Sequence, residues 1–134
     1  MVDKKLVLQI QQALSKDPKI ILAYVLGSVV SGQTKKGSDF DLAVVVDRAT
    51  EFKSVYNLVS KIHFPRDLDL SVVDKKSSPI FLFQIISTGE CIYSASDRDK
   101  ISFETFIAKN YYDSAHLRKI YYSYLKDKFP YANQ

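Results

Sequence analysis

Apolar residues recur along this chain with two different periods, and the alternation between them predicts its elements. Leu6, Val7, Ile10 and Leu14 fall close to a helical repeat, so Asp3 to Ser15 is expected to be a helix capped by Asp3 and ended by Asp17-Pro18. Lys19 to Leu26 is a continuous apolar run, the pattern of a strand buried on both faces. After Gly27, one or two helical turns are expected from Ser28, then a loop from Gly32 to Gly37, then a second strand from Phe40 to Val46. Thr50 to Ile62 returns to a helical stripe of Phe52, Val55, Val59 and Ile62, with Thr50 as its cap and Phe64-Pro65 breaking it.

Asp67 to Val73 alternates. Leu68, Leu70 and Val72 take one face of a strand, and Asp67, Asp69, Ser71 and Val73 take the other. Ser78-Pro79 then opens a helix through Ile80, Leu82, Phe83 and Ile86 that Gly89 should end, and Cys91 to Tyr93 is a short strand. From about Asp97 one long helix can run to Lys128, with a stripe of Phe103, Phe106/Ile107, Asn110/Tyr111, Ser114, Leu117, Tyr121 and Tyr124/Leu125. The order α-β-α-β-α-β-α-β-α predicts a single α/β domain over 1–134: a small mixed sheet covered by helices on one side, core about 5–95, then a helical segment of about 97–128.

Composition narrows the classes. A chain of 134 residues holds one core, and 46% hydrophobic content is ordinary for a globular protein. One cysteine, Cys91, excludes an internal disulfide, and no Cys/His cluster suggests zinc. The apolar stretch after Lys4-Lys5 is too short for a signal peptide, and no segment approaches the ~18 apolar residues of a membrane helix, so the expectation is a cytoplasmic protein. A net charge of +4 and a pI near 9.1 favour polyanions, yet no basic stripe with interleaved aromatics marks a nucleic-acid surface.

The chemistry-bearing pattern lies between the first two strands. Gly27-Ser28 ends the first apolar run; ten residues, 29 to 38, follow; then Asp39-Phe40-Asp41 opens the second. Side chains two apart on a strand share a face, roughly 6.5–7 Å apart, which suits carboxylates sharing divalent metals. Asp39 alone could cap the Gly37-Ser38 turn. That explains Asp41 poorly, because a carboxylate inside a strand costs stability unless a cation or donor offsets it. A third carboxylate should come from a neighbouring strand about 4.8 Å away. Asp67, Asp69 and Asp74 are the choices. Asp69 lies inside its strand, Asp67 shares its face nearer the entrance and stands in reserve, and Asp74 begins a lysine-rich turn.

Gly-Ser, a ten-residue spacer and Asp-x-Asp, followed by the Leu-Asp-Leu-Ser-Val-Val-Asp strand, resemble the polymerase-β-type nucleotidyltransferase superfamily. The length is similar to its minimal nucleotidyltransferase (MNT) branch, many of whose members are antitoxins to HEPN ribonucleases. The resemblance implies a polymerase-β-like nucleotidyltransferase core with a long C-terminal helix. It implies nucleotide phosphates held by Gly27, Ser28 and Ser38, and Mg²⁺ bound by Asp39, Asp41 and Asp69 as the catalytic set. It further implies ATP as substrate and transfer of AMP to a hydroxyl, most simply a tyrosine, of a cognate HEPN toxin. Many relatives carry a basic residue just after Gly-Ser, where this chain has Val29-Val30; Lys35 and Lys36 could supply that charge or simply be solvated. No arginine precedes His116 at the spacing of HEPN ribonucleases, so the chain does not resemble the toxin half. Neutralisation by binding alone, and nucleotide transfer to a small molecule such as an antibiotic, are the alternative readings; the latter class normally carries an acceptor-binding domain for which this length leaves little room.

Of the nine tyrosines, Tyr111, Tyr121 and Tyr124 fall on the last helix's stripe and are expected in the core, whereas Tyr112, Tyr122 and His116 fall off it. Off-stripe aromatics read as isolated surface residues or as a partner surface. His63, beside Pro65, reads as structural or exposed, and Cys91 as a small buried residue.

Overall fold

A computed structural model describes residues 2–27 and 39–128. Four strands and five helices follow one another as α1 (Lys4–Leu14), β1 (Ile20–Leu26), β2 (Phe40–Val46), α2 (Phe52–Val59), β3 (Leu68–Val73), α3 (Pro79–Thr88), β4 (Glu90–Ser94), α4 (Asp97–Asp113) and α5 (Ala115–Lys128). The strands form one mixed sheet in the order β3-β2-β1-β4, with β1 antiparallel to β2 and β4, and β2 parallel to β3. The expected turns after Gly27, together with Ser28, Val29, Val30, Lys35, Lys36 and Ser38, lie outside the described residues.

Two apolar layers hold the sheet. On one face Leu6, Ile10 and Leu14 of α1 and Val55 and Val59 of α2 pack on Ala23, Val25, Leu42, Val44 and Leu70. On the other, Leu82 and Ile85 of α3 and Phe103 and Ile107 of α4 pack on Leu22, Tyr24, Ala43, Val45 and Val73. Helices therefore cover both sides rather than the one side expected. The cause is already in β1 and β2, whose apolar residues are continuous and need cover on each face. Burial of each such side chain contributes about 1.5–3 kcal/mol relative to exposure.

The register keeps the two layers apart, because residues opposite each other on paired strands share a face. β1 carries one extra residue near its start: Ile20 pairs with Val46 but Leu22 pairs with Val45. Ile21 and Leu22 consequently both belong to the α3/α4 layer, and the alternation resumes at Ala23.

Local chemistry adjusts several boundaries. Asp3 caps α1 as expected, its carboxylate accepting from the Lys5 amide at 3.3 Å. Thr50 does not cap α2; its hydroxyl donates to the Arg48 carbonyl at 3.0 Å, the helix starts after Glu51, and Phe52 is left exposed. Ser78 caps α3, accepting from the Phe81 amide. Gly89 does end that helix, but with extended backbone (φ −83°) rather than a left-handed cap. Its missing side chain answers to crowding: a Cβ there would stand 2.5 Å from the Ile85 carbonyl oxygen and 2.7 Å from Leu26 Cδ2.

The single long C-terminal helix is two. α4 ends at Ser114, whose hydroxyl donates to the Tyr111 carbonyl at 3.0 Å. Arg118 Nη1 donates to that same carbonyl at 2.9 Å and to the Ser114 hydroxyl. A side chain bonding back into the preceding turn competes with helix continuation. Phe103 and Ile107 are buried as expected, and Tyr111 is half-buried; α5 has no buried residue, and Tyr121 and Tyr124 are exposed rather than in the core. Among the described residues no helix is long and apolar enough to cross a membrane.

Candidate active site

Three strand ends meet where the acidic residues lie. β1 finishes at Leu26, opposite Asp41 of β2, and Asp41 in turn pairs with Asp69 on the parallel β3. The face is fixed by register: Asp41 and Asp69 alternate with Leu42 and Leu70, which belong to the α1/α2 layer, so both carboxylates point to the α3/α4 side. Parallel pairing is what puts them side by side, since adjacent strands are only about 4.8 Å apart.

The two carboxyls interact directly. Burial lifts Asp41 above the ordinary carboxylate range, and a hydrogen bond shared with Asp69, then the charges of Asp69 and Asp39, push it the same way. Two carboxyls can share a hydrogen bond only when one of them is protonated. The site therefore opposes full ionisation in the absence of a cation. Asp39 is exposed immediately before β2 and acts on Asp41 through its charge. Asp67 is exposed, and its backbone carbonyl accepts the Phe40 amide at 2.7 Å, fastening the β2 and β3 entrances together. Asp74 sits in a turn, its carboxylate accepting the Lys76 amide at 2.8 Å. Among the described residues no three acidic, imidazole or thiol groups converge closely enough to hold an ion, so the convergence shown is that of the pair.

Gly27 closes the third side. Its φ of +73° is left-handed, and a Cβ on it would lie 2.8 Å from Asp41 Oδ2. The backbone of the β1 turn thus passes directly against the Asp41 carboxyl. Ser28 and Ser38, the other expected phosphate-holding residues, lie outside the described residues. His63 and His116 are exposed.

Gly27, Asp41 and Asp69 line a cavity of about 650 Å³ together with Ser71 on β3. Its opposite wall is α3, through Phe81, Gln84 and Thr88. These four residues were not picked out from the sequence. Ser71 was legible as sharing the Asp69 face, and the 3- and 4-residue spacing of Phe81, Gln84 and Thr88 marks one helical face. What the sequence could not supply is which face of α3 turns to the carboxylates.

Comparison with known proteins follows the same lines. The family described as "Polymerase beta, Nucleotidyltransferase" matches residues 8–98, more than half of the chain. Among curated proteins, the protein adenylyltransferase MntA of Shewanella oneidensis is 27% identical over 85 residues, 63% of this chain. The matched segment spans 61% of that relative's length. A crystal structure described as a toxin–antitoxin with AMP-PNP aligns over 92% of this chain and 99% of its own, at 20% identity and a TM-score of 0.67. Another, a tri-AMPylated Shewanella oneidensis HEPN toxin in complex with an MNT antitoxin, aligns over 91% of this chain and 98% of its own, at 20% identity and a TM-score of 0.63. At such identity the likeness is one of fold.

Proposed function

Because the chain belongs to the polymerase β nucleotidyltransferase family, we propose that it is a protein adenylyltransferase antitoxin, moving AMP from ATP to a tyrosine hydroxyl of a cognate HEPN ribonuclease toxin. The observation that carries this reading is the pairing of Asp41 with Asp69 on adjacent parallel strands, against the Gly27 turn and at a cavity of about 650 Å³. The protein acceptor is supported by the curated relative's name, protein adenylyltransferase, and by the fold shared with toxin–antitoxin structures.

An all-oxygen donor set of neighbouring carboxylates suits a hard divalent cation. Burial first, then the contacts and charges of its acidic neighbours, disfavour the ionised Asp41 that such a cation would stabilise. Asp39, Asp41 and Asp69 would hold Mg²⁺, which when bound neutralises triphosphate charge and makes the attacking hydroxyl more acidic. The chain's own residues do the rest. Gly27 brings backbone close to the phosphates, with Ser28 and Ser38 as donors to their oxygens. Asp69 accepts the tyrosine proton as the new O–P bond forms at the α-phosphorus and the bond to pyrophosphate breaks. Most of the rate gain comes from positioning and charge neutralisation.

The test is the intact mass of a candidate cognate HEPN protein after incubation with this chain, Mg²⁺ and ATP. Mass gains in AMP units that disappear with Asp39→Asn/Asp41→Asn support the proposal. A second reading, neutralisation by binding alone, draws on α5, where Leu117, Ile120, Tyr121 and Tyr124 are all exposed. An unchanged mass with tight co-purification would favour it.

A further inference from the structure

The wall of the cavity that faces the carboxylates has its own chemistry. Phe81, Gln84 and Thr88 stand on one face of α3, over roughly 10 Å of helix axis at 1.5 Å per residue. The helix is anchored along the adjoining face by Leu82 and Ile85, both fully buried. Phe81 is partly buried beside that core, so its ring is held while lining the cavity. Gln84 is exposed into it, and among the described residues its side-chain amide has no protein partner, while its backbone carbonyl accepts from the Ser87 and Thr88 hydroxyls at 3.3 and 2.7 Å. Gln11 shows the contrast, its amide donating to the Ile92 carbonyl at 2.8 Å in a plainly structural role.

An aromatic ring one turn from an amide without a partner among the described residues is suited to a flat heterocycle that presents a donor beside an acceptor. A glutamine amide carries both side by side and matches the adenine N6/N7 edge with two hydrogen bonds. Guanine presents two acceptors on that edge, O6 and N7, and leaves the amide oxygen facing an acceptor. A phenol acceptor would use only half of the amide.

We infer that α3 is the base-reading wall of the site, with Gln84 selecting adenine over guanine and Phe81 packing against the base while the phosphates lie toward Asp41 and Asp69. This rests on the nucleotidyltransferase reading and deepens it by naming what sets the nucleotide.

Equilibrium titration of the full chain with AMP-PNP and GMP-PNP in the presence of Mg²⁺ tests it, because the readout is binding and not turnover. Wild type is expected to prefer AMP-PNP. Gln84→Ala should weaken AMP-PNP by about tenfold and erase the preference, and Gln84→Lys, which offers donors only, should shift it toward GMP-PNP. Gln84 is exposed on a helix, and alanine and lysine are both good helix formers, so the variants should melt like wild type. Asp41→Asn should weaken both nucleotides alike. An AMP-PNP to GMP-PNP ratio unchanged by both Gln84 variants, with Mg²⁺-dependent binding intact, overturns the inference and spares the enzymatic reading. Absence of nucleotide binding by wild type overturns both.

Discussion

The ring of Phe83 on α3 lies flat on the ring of Tyr111 on α4, centroids 3.8 Å apart and planes 6° from parallel. The Arg118 guanidinium is also 3.8 Å from the Tyr111 centroid, which leaves it the other face of that ring. One stack therefore joins α3, α4 and α5, and the same arginine holds the break at Ser114.

Tyr111→Ala should lower stability by about 2 kcal/mol, the combined loss of a stacked pair, a cation–π contact and buried ring area. Tyr121→Ala should stay within about 0.5 kcal/mol, since its ring is exposed. Urea unfolding of the two variants separates them, and equal losses would contradict the assignment of Tyr111 as the anchoring ring.

The crowded carboxylates should make the apo protein less stable than its fold allows. Asp41→Asn removes the charge that burial and the acidic neighbours oppose while keeping shape. Since solvent screens much of this effect, a gain of about 0.5 kcal/mol is expected without divalent cation. Thermal melts with and without Mg²⁺ read this. Wild type should be stabilised by the ion and the variant much less, while AMP transfer disappears.

Tyr24 is fully buried and donates its hydroxyl hydrogen to Glu104 Oε1 at 2.7 Å. Burial first, then that bond, then the charges of Cys91 and Glu104 push its phenol well above the ordinary tyrosine value. The folded state thus holds this proton more tightly than the unfolded chain. Its contribution is complete below about pH 10, the unfolded value, and is lost as pH rises beyond it. Tyr24→Phe should cost about 1 kcal/mol at pH 8 and flatten the decline above pH 10. Denaturant midpoints across pH 8–11 provide the check; an unaltered slope would remove Tyr24 as its source.

The two crowded glycines should fail differently. Gly89→Ala forces a Cβ against the Ile85 carbonyl and Leu26, so it should lower stability by about 2 kcal/mol or more. Gly27→Ala adds about 1–2 kcal/mol of left-handed strain and displaces the Asp41 carboxyl, so transfer should fall further than stability does. Parallel melts and mass-shift assays distinguish the pair.

Much of this architecture was legible. The apolar runs of β1 and β2 and the alternation of β3 placed Asp41 and Asp69 on strands and on a stated face, because strand parity is a local property. Cover on both sides of the sheet was implied by the doubly apolar β1, but a one-sided arrangement was expected. The break at Ser114 was hidden because the stripe Tyr111, Ser114, Leu117 keeps helical spacing straight through it, while the competing Arg118 bonds depend on the fold. The α3 wall was hidden for a related reason: periodicity tells which residues share a helical face and not what that face meets.

The extra residue between Ile20 and Leu22 is accommodated where it stands. A strand reverses the outlook of its side chains at every step, so an added residue would turn every later position over unless a bulge absorbs it. Leu26 stands opposite Asp41 and in the α3/α4 layer because the count restarts after the bulge. Deleting Ile21 would leave Ile20 and Leu22 adjacent and regularly paired with Val46 and Val45, and every later position would keep its partner and its face. The far end of β1 thus carries one residue of slack, and a one-residue deletion there would be taken up as a straightened strand, with Leu26 still opposite Asp41.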